Sequence, residues 1–256
     1  MPCDLRPPVH ALLHGLPSAA PAANTAEPEA GAPAVRRQQL GESVRGAPLV
    51  AEVFGDGPDV LLVIGGIHGN EPTSAALARR TAGYLRAHPE LWAGRTIAVL
   101  AEANPDGLAA GTRANARGVD LNRNFPARNW RARGDRRFGA QPASEPETAA
   151  IVRAVEELQP RRILSIHSAV RIGPCNNYDG PASELAERLA ACNGYPVRPS
   201  IGYPTPGSLG SWAGGDRGIP VVTLELPAEL SEAQCWRGNG RALLAFVRGT
   251  GATAGQ

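Results

Sequence analysis

The sequence predicts an α/β fold: a single domain with a mixed, mostly parallel central sheet flanked by helices. Short apolar runs alternate with longer segments of helical periodicity along residues 48–248. That alternation is typical of parallel strands joined by crossover helices. A histidine follows one of the apolar runs and another ends a second, and open α/β sheets place their ligand sites at the carboxyl ends of strands. With 256 residues, the chain is long enough for one large domain.

The first half of this domain reads as strand, strand, helix, strand. Residues 49–54 and 60–64 are apolar runs of strand length, and the second contains only valine, leucine and isoleucine. Residues 73–87 carry apolar side chains at helical spacing, and Pro72 suits the first turn of that helix. Residues 96–101 form the next predicted strand. Each of these elements is therefore indicated either by its hydrophobic periodicity or by its length.

The second half begins after a long irregular region. Residues 103–143 are rich in glycine, asparagine and arginine with weak periodicity, and loops of that length in a compact domain are usually functional. A capping box at Ser144 predicts a helix over 145–158. Strands are then expected at 162–167 and 221–226, and helices at 182–192 and 234–248.

The N-terminal part of the chain differs in composition from the rest. Residues 1–46 are rich in alanine and proline, so we interpret 1–46 as a flexible extension and 47–250 as the folded domain. We find neither a secretory signal pattern nor a window of about 18 apolar residues, so we expect a cytoplasmic protein without membrane contact. The net charge of +2 gives no support for nucleic acid as a partner.

His68 and Glu71 are metal-competent side chains three residues apart, placed after Gly65 and Gly66 break an apolar run. Two ligands do not make a zinc site, and His167 supplies a third at the end of another apolar strand. Two histidines, one glutamate and a position open to water form a known catalytic zinc set. The sequence therefore predicts one Zn²⁺ ion. The alternative for either histidine alone is a hydrogen-bonded structural residue.

Glu225 is the single carboxylate in the hydrophobic strand predicted at 221–226. Burying an unpaired carboxylate is costly, so this group either meets a cation or lies at the edge of a cleft with a raised pKa. We expect Glu225 to act as the general base, taking a proton from the attacking water and passing it to the leaving amine. The alternative is a strand-end residue that faces solvent.

Residues 113–124 hold three arginines and three asparagines in an irregular segment. Guanidinium groups fork onto carboxylates and oxyanions. The apolar Val119, Leu121 and Phe125 among them indicate that this segment packs against the domain and is not a solvated charge run. Arginines beside a hydrolytic metal site favour an anionic substrate.

Five sequence elements, taken in order, resemble the zinc metallocarboxypeptidase family. They are His68-Gly69-Asn70-Glu71, Asn104-Pro105-Asp106-Gly107, Asp120-Leu121-Asn122-Arg123-Asn124-Phe125, His167 and Glu225. The resemblance covers about residues 48–248 and implies a zinc carboxypeptidase-like catalytic domain. It implies the same zinc ligands and the same base as the residues themselves. Asn70 departs from the expected aspartate, but it lies between ligands and leaves the metal prediction unchanged.

The resemblance also implies roles for the arginine-rich segment. Arg113 would polarise the scissile carbonyl and its oxyanion. Because the chain is shorter here than in digestive relatives, Arg117 is the alternative for that role. Asn122 and Arg123 would clamp the terminal carboxylate of the substrate. Tyr203 lies 22 residues before Glu225, about where the family has a mobile tyrosine, and would hydrogen-bond the substrate.

Within the family, the run Gly202-Tyr203-Pro204-Thr205-Pro206-Gly207-Ser208-Leu209-Gly210 is similar to that of the murein peptide amidases. It implies Thr205 and Ser208 as further substrate contacts; the alternative is a Gly/Pro-rich turn without such contact. The implied activity is hydrolysis of the γ-D-glutamyl–meso-diaminopimelate bond in murein peptides, small substrates with a free carboxylate. Peptidoglycan recycling would suit a cytoplasmic location.

Three other functions stay open at this point. One is a zinc carboxypeptidase that acts on ordinary peptides, which would differ only in its side-chain pocket. Another is an N-acyl amino acid deacylase of the succinylglutamate desuccinylase or aspartoacylase type, which shares the first ligand pair. The third is a degenerate binding protein, for which a missing ligand or base would be expected. The oligomeric state is not predicted by the sequence.

Overall fold

The computed structural model describes residues 35–132, 134–169 and 172–249. The strands are β1 (Val35–Glu42), β2 (Pro48–Phe54), β3 (Asp59–Ile64), β4 (Arg95–Leu100), β5 (Arg162–Ala169), β6 (Cys175–Asp179), β7 (Val197–Arg198) and β8 (Val221–Pro227). The α-helices are α1 (Pro72–Ala87), α2 (Pro105–Ala110), α3 (Pro146–Leu158), α4 (Ser183–Asn193) and α5 (Glu232–Arg248). A π-helical segment, Gly210–Asp216, precedes β8.

One sheet contains all eight of these strands in the order β1-β2-β4-β3-β5-β8-β6-β7. The four central strands, β4, β3, β5 and β8, are parallel to one another. Antiparallel pairs occur towards the edges, between β1 and β2, β2 and β4, and β8 and β6. The structure therefore confirms the predicted mixed, mostly parallel sheet.

Helices cover both faces of the sheet, and this explains why the central strands are apolar throughout. In β3, Leu61 and Val63 belong to the hydrophobic cluster that α1, α4 and α5 complete. The alternate residues Leu62 and Ile64 belong to the second cluster, on the side of α3. A strand buried on both faces has no polar side to alternate.

Successive parallel strands are added first on one side of β3 and then on the other, and this positions the site. After β3, helix α1 leads to β4 on one side, whereas α3 later leads to β5 on the other. Such a switch point opens a crevice at the carboxyl ends of the two strands, where ligands of open α/β sheets bind. The histidines singled out in the sequence lie at this crevice.

Strand β1 lies inside the segment that we assigned to the N-terminal extension. It pairs with β2 along its length, so residues 35–46 belong to the fold, and residues 1–34 lie outside the described part of the chain. Most β1 side chains are exposed and only Leu40 is fully buried, which explains the absence of an apolar signal. Among the described helices, none is long and apolar enough to cross a membrane.

Candidate metal centre and active site

The three predicted ligands come from the carboxyl ends of adjacent strands. His68 and Glu71 lie in the turn between β3 and α1, and His167 lies near the end of β5. The turn runs directly against α2, because a Cβ at Gly69 would lie 1.9 Å from the carbonyl carbon of Gly107. Only glycine fits this approach, so the sequence His-Gly-Asn-Glu fixes where the first ligand pair stands.

The ligand atoms converge on one point. The Nδ1 atom of His68 lies 2.8 Å from Oε1 of Glu71 and 3.1 Å from Nδ1 of His167. The Nδ1 atom of His167 lies 3.1 Å from Oε2 of Glu71. Tetrahedral zinc, with bonds of about 2.0–2.1 Å, separates its ligand atoms by roughly 3.3 Å. The three buried side chains therefore fit a single divalent ion with one position left for solvent.

Further contacts hold each ligand in this orientation. The Nε2 atom of His68 lies 3.1 Å from Oδ1 of Asp120, and Nε2 of His167 lies 3.0 Å from the Ser165 hydroxyl. The backbone N–H of Ser168 donates to Oε2 of Glu71 at 3.0 Å. These partners occupy the outer nitrogens, so both imidazoles turn Nδ1 towards the centre, as ligand histidines require.

The electrostatics of this centre favour a cation. Burial opposes ionisation of Glu71 and of Asp120. The charge of the neighbouring His68 acts in the opposite direction, and the pKa of each carboxyl lies well below the usual range. Burial lowers the pKa of His68, but the charges of Glu71 and Asp120 outweigh it and raise that pKa to about 9. A field that draws a proton onto His68 also attracts Zn²⁺.

Glu225 lies beside this centre on the next strand. It is the register partner of His167 across the parallel pair of β5 and β8, so the two side chains leave the sheet on the same face. Burial raises the pKa of Glu225; the charge of His167 opposes that rise and the charge of Glu71 adds to it. A partly buried carboxyl with a raised pKa beside three potential metal ligands is a candidate for proton transfer.

A cavity of about 520 Å³ opens above these groups. Nine of the residues predicted from the sequence line it: His68, Glu71, Arg113, Asn122, Arg123, His167, Tyr203, Thr205 and Glu225. Seven further residues complete the wall: Asn70, Asp120, Arg137, Phe138, Ser168, Ile172 and Ile201. The cavity joins the long loop after α2 to the Gly/Pro-rich loop before the π-helical segment.

Of the two arginines considered for the oxyanion, Arg113 reaches the cavity and Arg117 does not. The Nε–H of Arg113 donates to Oδ2 of Asp120 at 2.9 Å, and Nη1 donates to Oε1 of Glu71 at 3.4 Å. The guanidinium of Arg117 instead lies 3.7 Å from Glu145, which is away from the cavity. The position of the two side chains therefore favours Arg113 for the role that the sequence left open between them.

Asn122 and Arg123 belong to a single 3₁₀ turn, Leu121–Arg123. The side chain of Asp120 caps this turn by accepting from the Asn122 N–H at 3.0 Å. The Asn122 side-chain oxygen accepts from the Leu209 N–H at 2.9 Å, which ties the turn to the Gly/Pro-rich loop. Burial lowers the pKa of Arg123, and its charged head lines the cavity.

The three predicted residues of the Gly/Pro-rich loop differ in their access to the cavity. Tyr203 is 46% exposed and, with Thr205, lines the cavity. Ser208 is buried and does not reach it: its hydroxyl lies 3.0 Å from that of Ser211 and also accepts from the Ser211 N–H at 3.0 Å. Ser208 therefore precedes the π-helical segment Gly210–Asp216 and bonds to its residue Ser211, and it does not line the cavity where the implied substrate contact would be made.

Asp120 is the residue of the site whose role the sequence did not reveal. It lies between His68 and Arg113 and orients both. Its place two residues before Asn122, in a motif that resembles that of the family, was visible, but no local pattern pairs it with a histidine 52 positions earlier. Arg137 was also missed, because it lies in a segment without periodicity.

Comparisons with known proteins agree with this geometry. The zinc carboxypeptidase family model matches residues 28–172. Murein peptide amidase A of Escherichia coli (strain K12) is 36% identical over 211 residues, which cover 74% of this chain and 81% of that protein. The protein of the same name from Vibrio campbellii is 34% identical over 205 residues, covering 73% and 77%.

A solved structure matches as well. The crystal structure of the murein-tripeptide amidase from Escherichia coli O157 superposes with a TM-score of 0.70 at 32% sequence identity. The superposition covers 86% of this chain and 95% of that one. The described fold therefore matches that of this solved structure over nearly its whole length.

Proposed function

Because this chain belongs to the zinc carboxypeptidase family and is a zinc metallopeptidase, we propose that it hydrolyses the γ-D-glutamyl–meso-diaminopimelate bond of murein peptides. The observation that carries the proposal is a complete hydrolytic centre inside an arginine-lined cavity. His68, Glu71 and His167 converge there with Glu225 beside them. The likeness to murein peptide amidases over most of the chain supports this choice of substrate class.

The proposed chemistry assigns a task to each side chain at the centre. His68, Glu71 and His167 hold the zinc ion. Zinc, when bound, polarises the substrate carbonyl and lowers the pKa of a coordinated water towards about 7. Glu225 accepts a proton from the attacking water and delivers it to the leaving amine of diaminopimelate. Arg113 stabilises the negative charge that develops on the carbonyl oxygen.

Recognition of the leaving residue is assigned to the 3₁₀ turn. Arg123 binds the carboxylate next to the released amine, with Asn122 beside it, and the bidentate geometry of a guanidinium suits that group. Tyr203 and Thr205 close the same end of the cavity from the opposite loop. Anchoring a free carboxylate here places the preceding amide bond over the metal centre.

The cellular role that fits this activity is the recycling of murein peptides in the cytoplasm. Support comes from the likeness of the chain to murein peptide amidases over most of its length. Cell fractionation of the native host, with an antibody against the full chain, tests the location. Recovery of the protein from the periplasm or the medium would contradict it.

The activity is tested with three substrates in a zinc-replete assay of the full chain. These are L-Ala-γ-D-Glu-meso-diaminopimelate, an ordinary L-dipeptide series and N-succinylglutamate. We expect release of diaminopimelate from the first and little turnover of the others. Hydrolysis only of the L-peptides would support an ordinary carboxypeptidase, and hydrolysis only of N-succinylglutamate would support a deacylase. Binding of the tripeptide without turnover would indicate a binding protein.

A further inference from the structure

A third guanidinium lines the cavity in addition to those of Arg113 and Arg123. It belongs to Arg137, in the 3₁₀ turn Arg136–Phe138. The roles proposed so far are zinc binding, stabilisation of the oxyanion and binding of the terminal carboxylate. None of these roles involves Arg137. A cation on the wall of a substrate cavity attracts an anionic group of the ligand, so the question is which group of the substrate it meets.

The backbone of Arg137 is built into the active site. Its carbonyl accepts from the N–H of Asp120 at 3.0 Å, and Asp120 is the residue that orients His68. The Arg137 N–H donates to Oδ1 of Asp135 at 2.9 Å, which caps the turn. The next carbonyl, of Phe138, accepts from the side chain of Asn124 at 2.9 Å. The turn is therefore anchored on both sides, although it lies in a loop.

The guanidinium of Arg137 is held along one edge and open along the other. Its Nε–H donates to Oδ2 of Asp135 at 2.7 Å, and Nη2 lies at 2.5 Å from the same oxygen. Among the described residues, the Nη1 group has no hydrogen-bond partner. Asp135 thus aligns the side chain and leaves donors for an incoming carboxylate.

The chemistry of a γ-glutamyl substrate supplies such a carboxylate. A γ-linked glutamate keeps its α-carboxylate free, four bonds from the carbonyl carbon that is attacked. An α-linked peptide with an uncharged residue before the scissile bond has its next amide near that position and no charge there. Arg123 already serves the terminal carboxylate and Arg113 the carbonyl oxygen, so Arg137 is the cation left for the acyl side.

We propose that Arg137 is a specificity-determining residue that binds the free α-carboxylate of the γ-linked glutamate. The inference rests on the proposed function. It explains how one cavity favours γ-glutamyl substrates over α-linked peptides whose residue before the scissile bond is uncharged: only the former supply an anion to the third guanidinium.

The test compares R137Q with R136Q on two substrates. Arg136 is the matched control, because it lies in the same turn but over Gly118 and does not line the cavity. One substrate is L-Ala-γ-D-Glu-meso-diaminopimelate; the other is its isoglutaminyl counterpart, in which a carboxamide replaces the α-carboxylate. We expect R137Q to lower kcat/KM about tenfold on the first, as for one lost charge-assisted pair. On the second, kcat/KM should change less than about threefold, and R136Q should match the wild type on both.

An equal loss by R137Q on both substrates would overturn the inference, as would no loss on either. A third substrate, with lysine in place of diaminopimelate, removes the distal carboxylate. If the R137Q penalty vanishes on that substrate and persists on the isoglutaminyl one, Arg137 binds the distal carboxylate and the inference is wrong. Failure of the wild type to cleave the tripeptide would contradict the proposed function itself, which is a separate result.

Discussion

His167 on β5 and Glu225 on β8 are register partners in a parallel pair of central strands, so a metal ligand and the proposed base project from the same face of the sheet. Their spacing is set by backbone hydrogen bonds between two buried strands and not by a loop. Sites built on rigid elements hold their geometry more tightly than sites on loops. The position of Glu225 relative to His167 is therefore fixed by the sheet.

Replacing Glu225 by Gln should leave zinc binding intact and remove nearly all turnover. The substitution keeps the shape of the side chain but cannot accept the proton of the attacking water, and general-base catalysis contributes about 10²–10⁴-fold. Steady-state kinetics and zinc content of the purified variant check this. The exposed Glu229, just after β8, gives the matched control E229Q, which should behave as the wild type. Full activity of E225Q would remove Glu225 from its role.

The acidic limb of the pH profile should lie above the range of an ordinary glutamate. Burial raises the pKa of Glu225, and the base works only when deprotonated, so kcat/KM rises with pH through this raised pKa. The unperturbed value is about 4.3. The profile of kcat/KM is measured with zinc content determined at each pH, which separates titration from metal loss. A limb centred at or below about 4.3, with zinc still bound, would contradict the assignment.

The two candidate arginines should separate cleanly under substitution. R113Q should reduce kcat by about 10²–10³-fold, the usual effect of losing one oxyanion donor. R117Q should change kcat less than about threefold, because Arg117 faces Glu145 and not the cavity. Both variants are compared on the same amide substrate with zinc content verified. A larger loss in R117Q than in R113Q would reverse the assignment.

Gly69→Ala should destabilise the protein and weaken zinc binding together. The added Cβ would lie 1.9 Å from the carbonyl carbon of Gly107, so the turn that carries His68 and Glu71 must move. Overpacking of this kind typically costs about 1–3 kcal/mol. Gly83→Ala is the control: Gly83 lies on the exposed side of α1 with no atom within 4 Å of its Cβ position, and alanine there should stabilise by up to about 1 kcal/mol. Thermal unfolding and zinc titration distinguish the two.

The elements that the sequence predicted are those whose burial in the fold leaves a local pattern in the sequence. Strand β3 is a continuous apolar run because it is buried on both faces, and that pattern is visible without the structure. The metal ligands stand at the ends of such runs. Strand β6 escaped prediction because Asn176 and Asn177 are buried there, each satisfied by partners that only the fold brings near.

The parts of the site that stayed open depend on contacts between distant segments. Arg113 and Arg117 lie four positions apart in the same irregular segment, and no local pattern separates their roles. Their directions are set by Asp120 and Glu145, and the latter comes from the start of α3. In the same way, the Ser208 hydroxyl accepts a hydrogen bond from the π-helical segment, and local propensity does not predict that segment. Contacts with residues distant in the sequence, and not local conformational propensity, set the orientation of these side chains.

The most direct test of the account is a diffraction measurement at the zinc absorption edge on crystals of the zinc-loaded full chain. The account predicts one anomalous peak per chain, about 2.0–2.1 Å from Nδ1 of His68, Nδ1 of His167 and a carboxylate oxygen of Glu71. The same peak should be absent from the H167A variant. A peak elsewhere in the chain, or none at these three atoms in zinc-saturated protein, would contradict the hydrolytic centre on which every proposal here depends.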